Sequence, residues 1–233
     1  MGNWDNIACD PRRGGARVFS VMEDGARYWI KFADKDYKNA LQRLLLKRKR
    51  NLLYTELHAM AALRAHGFTV PQVVHSTPAY MVLSDLGESL QYLTRTHDTP
   101  RCCEVLEQLA GLLRQLHMQG CWHGNALLRN FVMKDGRIGL IDLENTAHRL
   151  WPLAMRQAYD IWQVLFSTAR LPESSQLMRH FLRSYCASSR VGRCLRTAAW
   201  AMAPLYAIAL PLRPLVRNDL PQFMDAVREL WWI

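Results

Sequence analysis

The sequence predicts an α+β protein in which a small strand-rich N-terminal part precedes a larger helical part. Two kinds of pattern carry this expectation. Short apolar runs flank Glu23-Asp24-Gly25-Ala26 and Lys134-Asp135-Gly136, and an Asp-Gly pair between such runs favours the positive φ angles of a tight hairpin. Beyond the first hairpin and its neighbouring segments, apolar residues recur at helical rather than alternating spacing, most clearly at Val105, Leu109, Leu112, Leu113 and Leu116. Half of the 233 residues are hydrophobic and 21% are charged, which disfavours a disordered chain and suffices for one substantial core in two lobes or for two small domains.

In chain order, Arg17–Met22 and Arg27–Phe32 read as paired strands. Asn51–His66 reads as a helix with Leu53, Leu57, Met60, Ala61 and Leu63 on one broad apolar face and Glu56 beside it. Ala79–Leu83 is a short strand that ends in the turn sequence Ser84-Asp85-Leu86-Gly87. Helical sequence follows at Ser89–Thr96 and Cys102–Met118. Phe131–Met133 and Arg137–Ile141 form the second hairpin, and Ser174–Ala187 and Asp219–Trp232 close the chain as helices. The division implied is a first lobe over 1–83, a connecting segment over 84–88 and a second lobe over 89–233.

Thr197–Leu212 is uncharged and bracketed by Arg196 and Arg213. As a helix it spans about 24 Å at ~1.5 Å per residue, short of the roughly 30 Å hydrocarbon layer, and Pro204 and Pro211 weaken a continuous helix. The sequence favours a helix buried in the second lobe. The alternative is peripheral attachment to the inner face of the inner membrane, aided by Arg190, Arg193, Arg196, Arg213 and Arg217.

A net charge of +10 and a pI near 9.6 imply an anionic partner. One concentration is Arg43–Arg50, which lacks the interleaved aromatics of a base-stacking platform, so nucleic acid ranks low. Cys9, Cys102, Cys103, Cys121, Cys186 and Cys194 show no CxxC or zinc spacing, and Met1–Asp5 lacks a basic-then-apolar leader pattern; both point to reduced thiols in a cytoplasm. Lys31 stands between Ile30 and Phe32 on an otherwise apolar strand, where an ammonium is costly to desolvate unless it meets an anion. The hairpin over 131–141 carries Asn130 and Asp142 to the same end, an oxygen-rich pairing suited to Mg²⁺ held jointly with phosphates.

Cys121-Trp122-His123-Gly124-Asn125-Ala126-Leu127-Leu128-Arg129-Asn130, followed by Ile141-Asp142-Leu143-Glu144, resembles the catalytic and metal-binding segments of the protein-kinase-like superfamily. The interval between Asp142 and Asp160 lacks a long activation segment and an Ala-Pro-Glu anchor. The resemblance, covering Arg17–Ser167, is therefore to the bacterial lipopolysaccharide core (Kdo/heptose) kinases and related compact kinases. It implies a two-lobed protein-kinase-like fold that binds ATP and Mg²⁺. It further implies that Lys31, paired with Glu56, holds nucleotide phosphates, that Asn130 and Asp142 hold the metal, and that His123 and Asp160 support the catalytic loop. Tyr159-Asp160-Ile161-Trp162 would open the helix beneath that loop. Gly14 and Gly15 would cover the phosphates, while the Ser84 carbonyl and Leu86 amide read the adenine edge and Leu83 sets the pocket's depth.

One departure bears on activity. Asn125 stands where the family's Asp base is expected, and a carboxamide cannot accept a proton near neutral pH; Glu144 is a nearby substitute base. The function implied is ATP-dependent phosphoryl transfer to a sugar or glycolipid hydroxyl, slowed at Asn125. A nucleotide-binding pseudokinase regulating an envelope assembly and a compact protein kinase are the alternatives.

Overall fold

A computed structural model describes Trp4, Ile7 and residues 16–33, 52–143, 150–185, 189–210 and 219–231. The chain divides into two compact units, 1–87 with 141–144, and 88–140 with 145–233.

In the first unit β1 (Val18–Glu23) and β2 (Ala26–Phe32) pair antiparallel. The expected hairpin forms because Asp24 and Gly25 adopt φ of 50° and 75°, the left-handed pair that matches strand twist. β3 (Val73–Ser76) and β4 (Tyr80–Ser84) complete a sheet of order β1-β2-β4-β3, so β2 is central. Alternation along β2 sends Ile30, fully buried, into a cluster with Trp4, Tyr80 and Val82. The next residue, Lys31, must therefore face the other side. The helix expected over Asn51–His66 is α1 (Leu52–Ala65). Its buried line is Leu53, Glu56, Met60 and Leu63, while Ala61 is exposed. Glu56 thus lies within the apolar stripe rather than beside it.

In the second unit, β5 (Glu88–Ser89), β6 (Phe131–Lys134) and β7 (Arg137–Leu140) form an antiparallel sheet of order β5-β6-β7. The β6–β7 hairpin again turns on an Asp-Gly pair, with Asp135 and Gly136 at φ of 51° and 74°. Ser89 caps α2 (Leu90–Thr96), its hydroxyl accepting from the Tyr92 amide, and Asp98 caps α3 (Thr99–Met118) at the Arg101 amide. Each such cap stabilises its helix by about 1 kcal/mol. α3 buries Val105, Leu106, Leu109, Leu113 and Leu116 along one face, and each side chain of this size contributes about 1.5–3 kcal/mol on full burial. That face packs on α5 (Ser174–Tyr185).

α4 (Leu153–Thr168) packs on α6 (Ser189–Ala201) and α8 (Leu220–Leu230), with α7 (Ala203–Ala209) between the last two in sequence. The stretch expected as one element over Thr197–Leu212 is divided between α6 and α7. Met202 interrupts it, and Pro204 sits in the first turn of α7, where its missing N–H costs no helical bond. Residues 211–218 lie outside the described residues. Nor is the stretch simply core, since Ala199 is fully buried while Trp200 is 71% exposed.

Candidate functional site

Two constellations of polar side chains stand out, one in each unit. In the first, the Lys31 ammonium lies 2.7 Å from Glu56 Oε2 and 2.8 Å from Asp142 Oδ1. Lys31 and Glu56 are almost wholly buried, whereas the Asp142 side chain is 31% exposed. Central strand β2 supplies the cation, the apolar face of α1 supplies one anion, and the chain leaving β7 supplies the other. Asp142 adopts φ of 60°, a left-handed conformation that aspartate tolerates better than most residues. Burying Glu56 within an apolar stripe is sustainable because its charge is compensated directly.

Leu83, Ser84 and Leu86 lie at the end of β4 and just beyond it. Leu83 is buried and pairs across the sheet with Trp29, while the Ser84 amide donates to the Gln72 carbonyl at 2.9 Å. Gly14 and Gly15, Glu144, and the basic run Arg43–Arg50 lie outside the described residues.

The second constellation is the 121–130 loop and the helix that grips it. Asp160, fully buried, accepts from the His123 and Gly124 amides, each at 2.7 Å. Its position differs from expectation: α4 begins at Leu153, so Asp160 lies in mid-helix instead of at the helix start. The reason is that Asp160 is one of a row. Gln157 Nε2 donates to the His117 carbonyl at 2.8 Å, Gln163 Oε1 accepts from the Ala126 amide at 2.8 Å, and Ser167 Oγ accepts from the Leu128 amide at 3.1 Å. At spacings of three and four these residues share one side of α4; Asp160, Gln163 and Ser167 satisfy backbone donors that an irregular buried loop would otherwise leave unpaired, while Gln157 fastens α4 to the last turn of α3.

Behind Asp160, His117 Nε2 lies 3.1 Å from Asp160 Oδ2, and His117 Nδ1 lies 2.5 Å from the Tyr185 hydroxyl. A carboxylate can only accept, which fixes the proton of neutral His117 on Nε2 and makes Nδ1 the acceptor for Tyr185. Burial, and then the charge of Asp160, push the Tyr185 phenol above its usual range, so it remains a protonated donor at neutral pH. Gln157, Gln163, Ser167, His117 and Tyr185 had not been singled out from sequence. The available signal was a polar residue every third or fourth position along an otherwise apolar helix.

Within the loop, His123 is buried against Phe131 with ring centroids 4.8 Å apart. Asn130, 4% exposed, donates from Nδ2 to the Asn125 carbonyl at 2.7 Å. That bond orients the amide and leaves Oδ1 as its acceptor atom. The Asn125 carbonyl also accepts from the Leu127 amide at 2.8 Å, and the Asn125 amide donates to His123 Nδ1 at 3.2 Å. At the loop's start, the Arg156 guanidinium stacks 4.1 Å from the centre of the Trp122 ring. Among the described residues no group of three or more His, Cys, Asp and Glu is placed to hold a metal. Any cation bound with Asn130 or Asp142 would therefore share its coordination with a ligand or water.

Residues 9–185 match the family model described as "Lipopolysaccharide kinase (Kdo/WaaP) family". Among solved structures, WaaP in complex with acyl carrier protein superposes with a TM-score of 0.54 at 20% identity, covering 85% of each chain. An aminoglycoside-3'-phosphotransferase of type VIII gives 0.54 at 16% identity, over 93% of this chain and 90% of that one. APH(2")-IIa in a ternary complex with streptomycin and ATP gives 0.52 at 10% identity, over 96% and 98%. These structural likenesses bear out the protein-kinase-like α+β fold. No curated protein matches the chain significantly.

Proposed function

The chain belongs to the lipopolysaccharide kinase (Kdo/WaaP) family, and we propose that it transfers the terminal phosphoryl group of ATP to a sugar hydroxyl of a membrane glycolipid. The observation that carries the site assignment is the buried Lys31–Glu56 pair with Asp142 at its open side. Kinases of this family use ATP and typically a divalent metal. The finer choice of Mg²⁺ rests on donor chemistry: the Asn130 amide oxygen and the Asp142 carboxylate are hard ligands, and Mg²⁺ is commonly held by one or two such groups together with substrate phosphates. When bound, such a cation neutralises charge on the phosphates.

The protein's own residues then divide the work. Glu56 holds the Lys31 ammonium in place, and Lys31 turns its charge to the nucleotide phosphates. Asp142, the more exposed partner of Lys31, would hold the metal ion beside the phosphates. The acceptor oxygen forms its bond to the γ-phosphorus as the bond to the β,γ-bridging oxygen breaks and ADP departs. Asn125 can orient the acceptor hydroxyl through its carboxamide but cannot take the proton, which passes to water. Alignment and charge neutralisation carry most of the catalysis of a loose phosphoryl transition state, so transfer is slow rather than absent. Asn125 is also the observation that favours a second reading, a nucleotide-binding pseudokinase that regulates an envelope assembly.

Incubation with γ-labelled ATP and Mg²⁺ should label lipopolysaccharide and not protein extracts. Asp142→Ala should abolish labelling and the metal dependence of ATP binding by calorimetry. ATP binding without labelling of any acceptor would favour the pseudokinase.

Membrane contact is the other part of the proposal, and the outer side of α6 supports it. Arg190, Arg193, Arg196, Thr197 and Trp200 are all exposed there, and no Asp or Glu lies between Glu173 and Asp219. No helix among the described residues is long and apolar enough to cross a membrane, so the contact envisaged is peripheral: Arg to lipid phosphate and Trp at the headgroup level. The protein should sediment with anionic vesicles at 0.1 M salt and be released at 1 M, where the Debye length falls from about 10 Å to about 3 Å. Replacing Arg190, Arg193 and Arg196 by Gln should weaken partitioning about a hundredfold, at ~1 kcal/mol per basic residue near the surface. Retention in solution at low salt would remove the membrane from the proposal.

A further inference from the structure

The backbone donors of the segment after β4 are allotted one by one. The Ser84 amide donates to the Gln72 carbonyl at 2.9 Å and the Asp85 amide to the Arg27 carbonyl at 3.3 Å. The Gly87 amide donates to Asp85 Oδ2 at 3.1 Å, closing a turn in which Gly87 has φ of 95°, a conformation that favours glycine. Between them, the Leu86 amide meets no acceptor among the described residues. The other oxygen of Asp85 accepts from the Trp29 indole at 2.7 Å. Trp29 lies on β2 two residues before Lys31 and opposite Leu83 in the β2–β4 register.

One carboxylate thus fastens the connecting segment at two points, to its own backbone and to the strand that carries the phosphate-binding lysine. We infer that Asp85 and Trp29 are positioning residues for the nucleobase: they fix residues 85–87 so that the Leu86 N–H is the donor presented to a purine. A lone backbone donor selects a base with an acceptor on its pairing edge. Adenine offers N1 there, whereas guanine carries a donor at N1 and keeps its pairing-edge acceptor displaced at O6, so GTP would have to shift in the site and the arrangement favours ATP. Separating the two ends of the nucleotide also separates their residues, with base reading held by Asp85 and Trp29 and phosphate binding by Lys31. The inference rests on the nucleotide-binding site proposed above.

The test is calorimetry on the full chain with ATP, GTP and inorganic tripolyphosphate, which lacks a base. Asp85→Asn keeps the side-chain shape but puts an NH₂ group against the Trp29 indole or the Gly87 amide. Trp29→Phe keeps a ring and removes a single bond, and serves if the first variant folds poorly. Either variant should lower ATP affinity about tenfold, the equivalent of one hydrogen bond. It should also narrow the ATP-to-GTP ratio and leave tripolyphosphate affinity unchanged. The inference is overturned if ATP affinity is unaffected in both variants, or if ATP and tripolyphosphate weaken together, which would mean a general disturbance of the unit. Failure of the unaltered protein to bind either ATP or tripolyphosphate would instead overturn the nucleotide site itself.

Discussion

Lys31→Ala is expected to cause the largest combined loss of binding and stability in this protein. Its ammonium compensates Glu56, which is 2% exposed on the inward face of α1, and removing one member of a buried ion pair costs about 3–5 kcal/mol because the remaining buried charge loses that compensation. ATP affinity should fall by about tenfold to a hundredfold, since a hydrogen bond to a charged group contributes ~1.5–3 kcal/mol and each 1.4 kcal/mol is tenfold. The two effects are separable. Lys31→Met combined with Glu56→Gln removes both charges at similar volume and should recover much of the lost stability in urea denaturation, with ATP binding still impaired. If the double variant binds ATP as well as the unaltered protein, Lys31 is a structural cation and the phosphates are held elsewhere.

Asn125→Asp should act in the opposite direction, raising phosphoryl transfer about 10²–10⁴-fold, the usual contribution of a positioned general base. Affinity for ATP should stay the same, because the new carboxylate addresses the acceptor hydroxyl. The carbonyl and amide of residue 125 that bond Asn130, Leu127 and His123 belong to the backbone and persist in the variant. Initial rates with lipopolysaccharide as acceptor check this. Equal and measurable rates in both proteins would show that the proton needs no acceptor at this position.

Much of the fold could be read from residues whose physical demands are local. Asp24-Gly25 and Asp135-Gly136 announce their hairpins because few other dipeptides accept two left-handed conformations in succession. Lys31 was conspicuous because a charge on an apolar strand requires an explanation. The elements that escaped have weak local signatures. β3 is a short, mostly exposed strand with a register irregularity near Val73 and His75, and β5 is two residues long; tertiary pairing defines both. Glu56 meets Lys31 from within the apolar line of α1 and not from beside it: the buried line runs through 53, 56, 60 and 63, and an anion there looks wrong until its partner is known. The supports of the loop were invisible for a related reason. Glutamine and serine on a helix are ordinary until a distant backbone is seen to need them, and only α3, α4 and α5 folded together bring His117, Asp160 and Tyr185 into contact.

The row along α4 also bears on how this protein can change over time. Asp160, Gln163 and Ser167 take the amides of residues 123, 124, 126 and 128, and every amino acid except proline supplies an amide. The loop's path is thus specified by the helix beneath it, while the side chains above are left to chemistry. Substitution at position 125 can exchange a proton acceptor for a hydrogen-bonding amide, or reverse the exchange, without dismantling those fastenings. In such an architecture the chemistry offered at position 125 can change without cost to the folding of the loop that carries it.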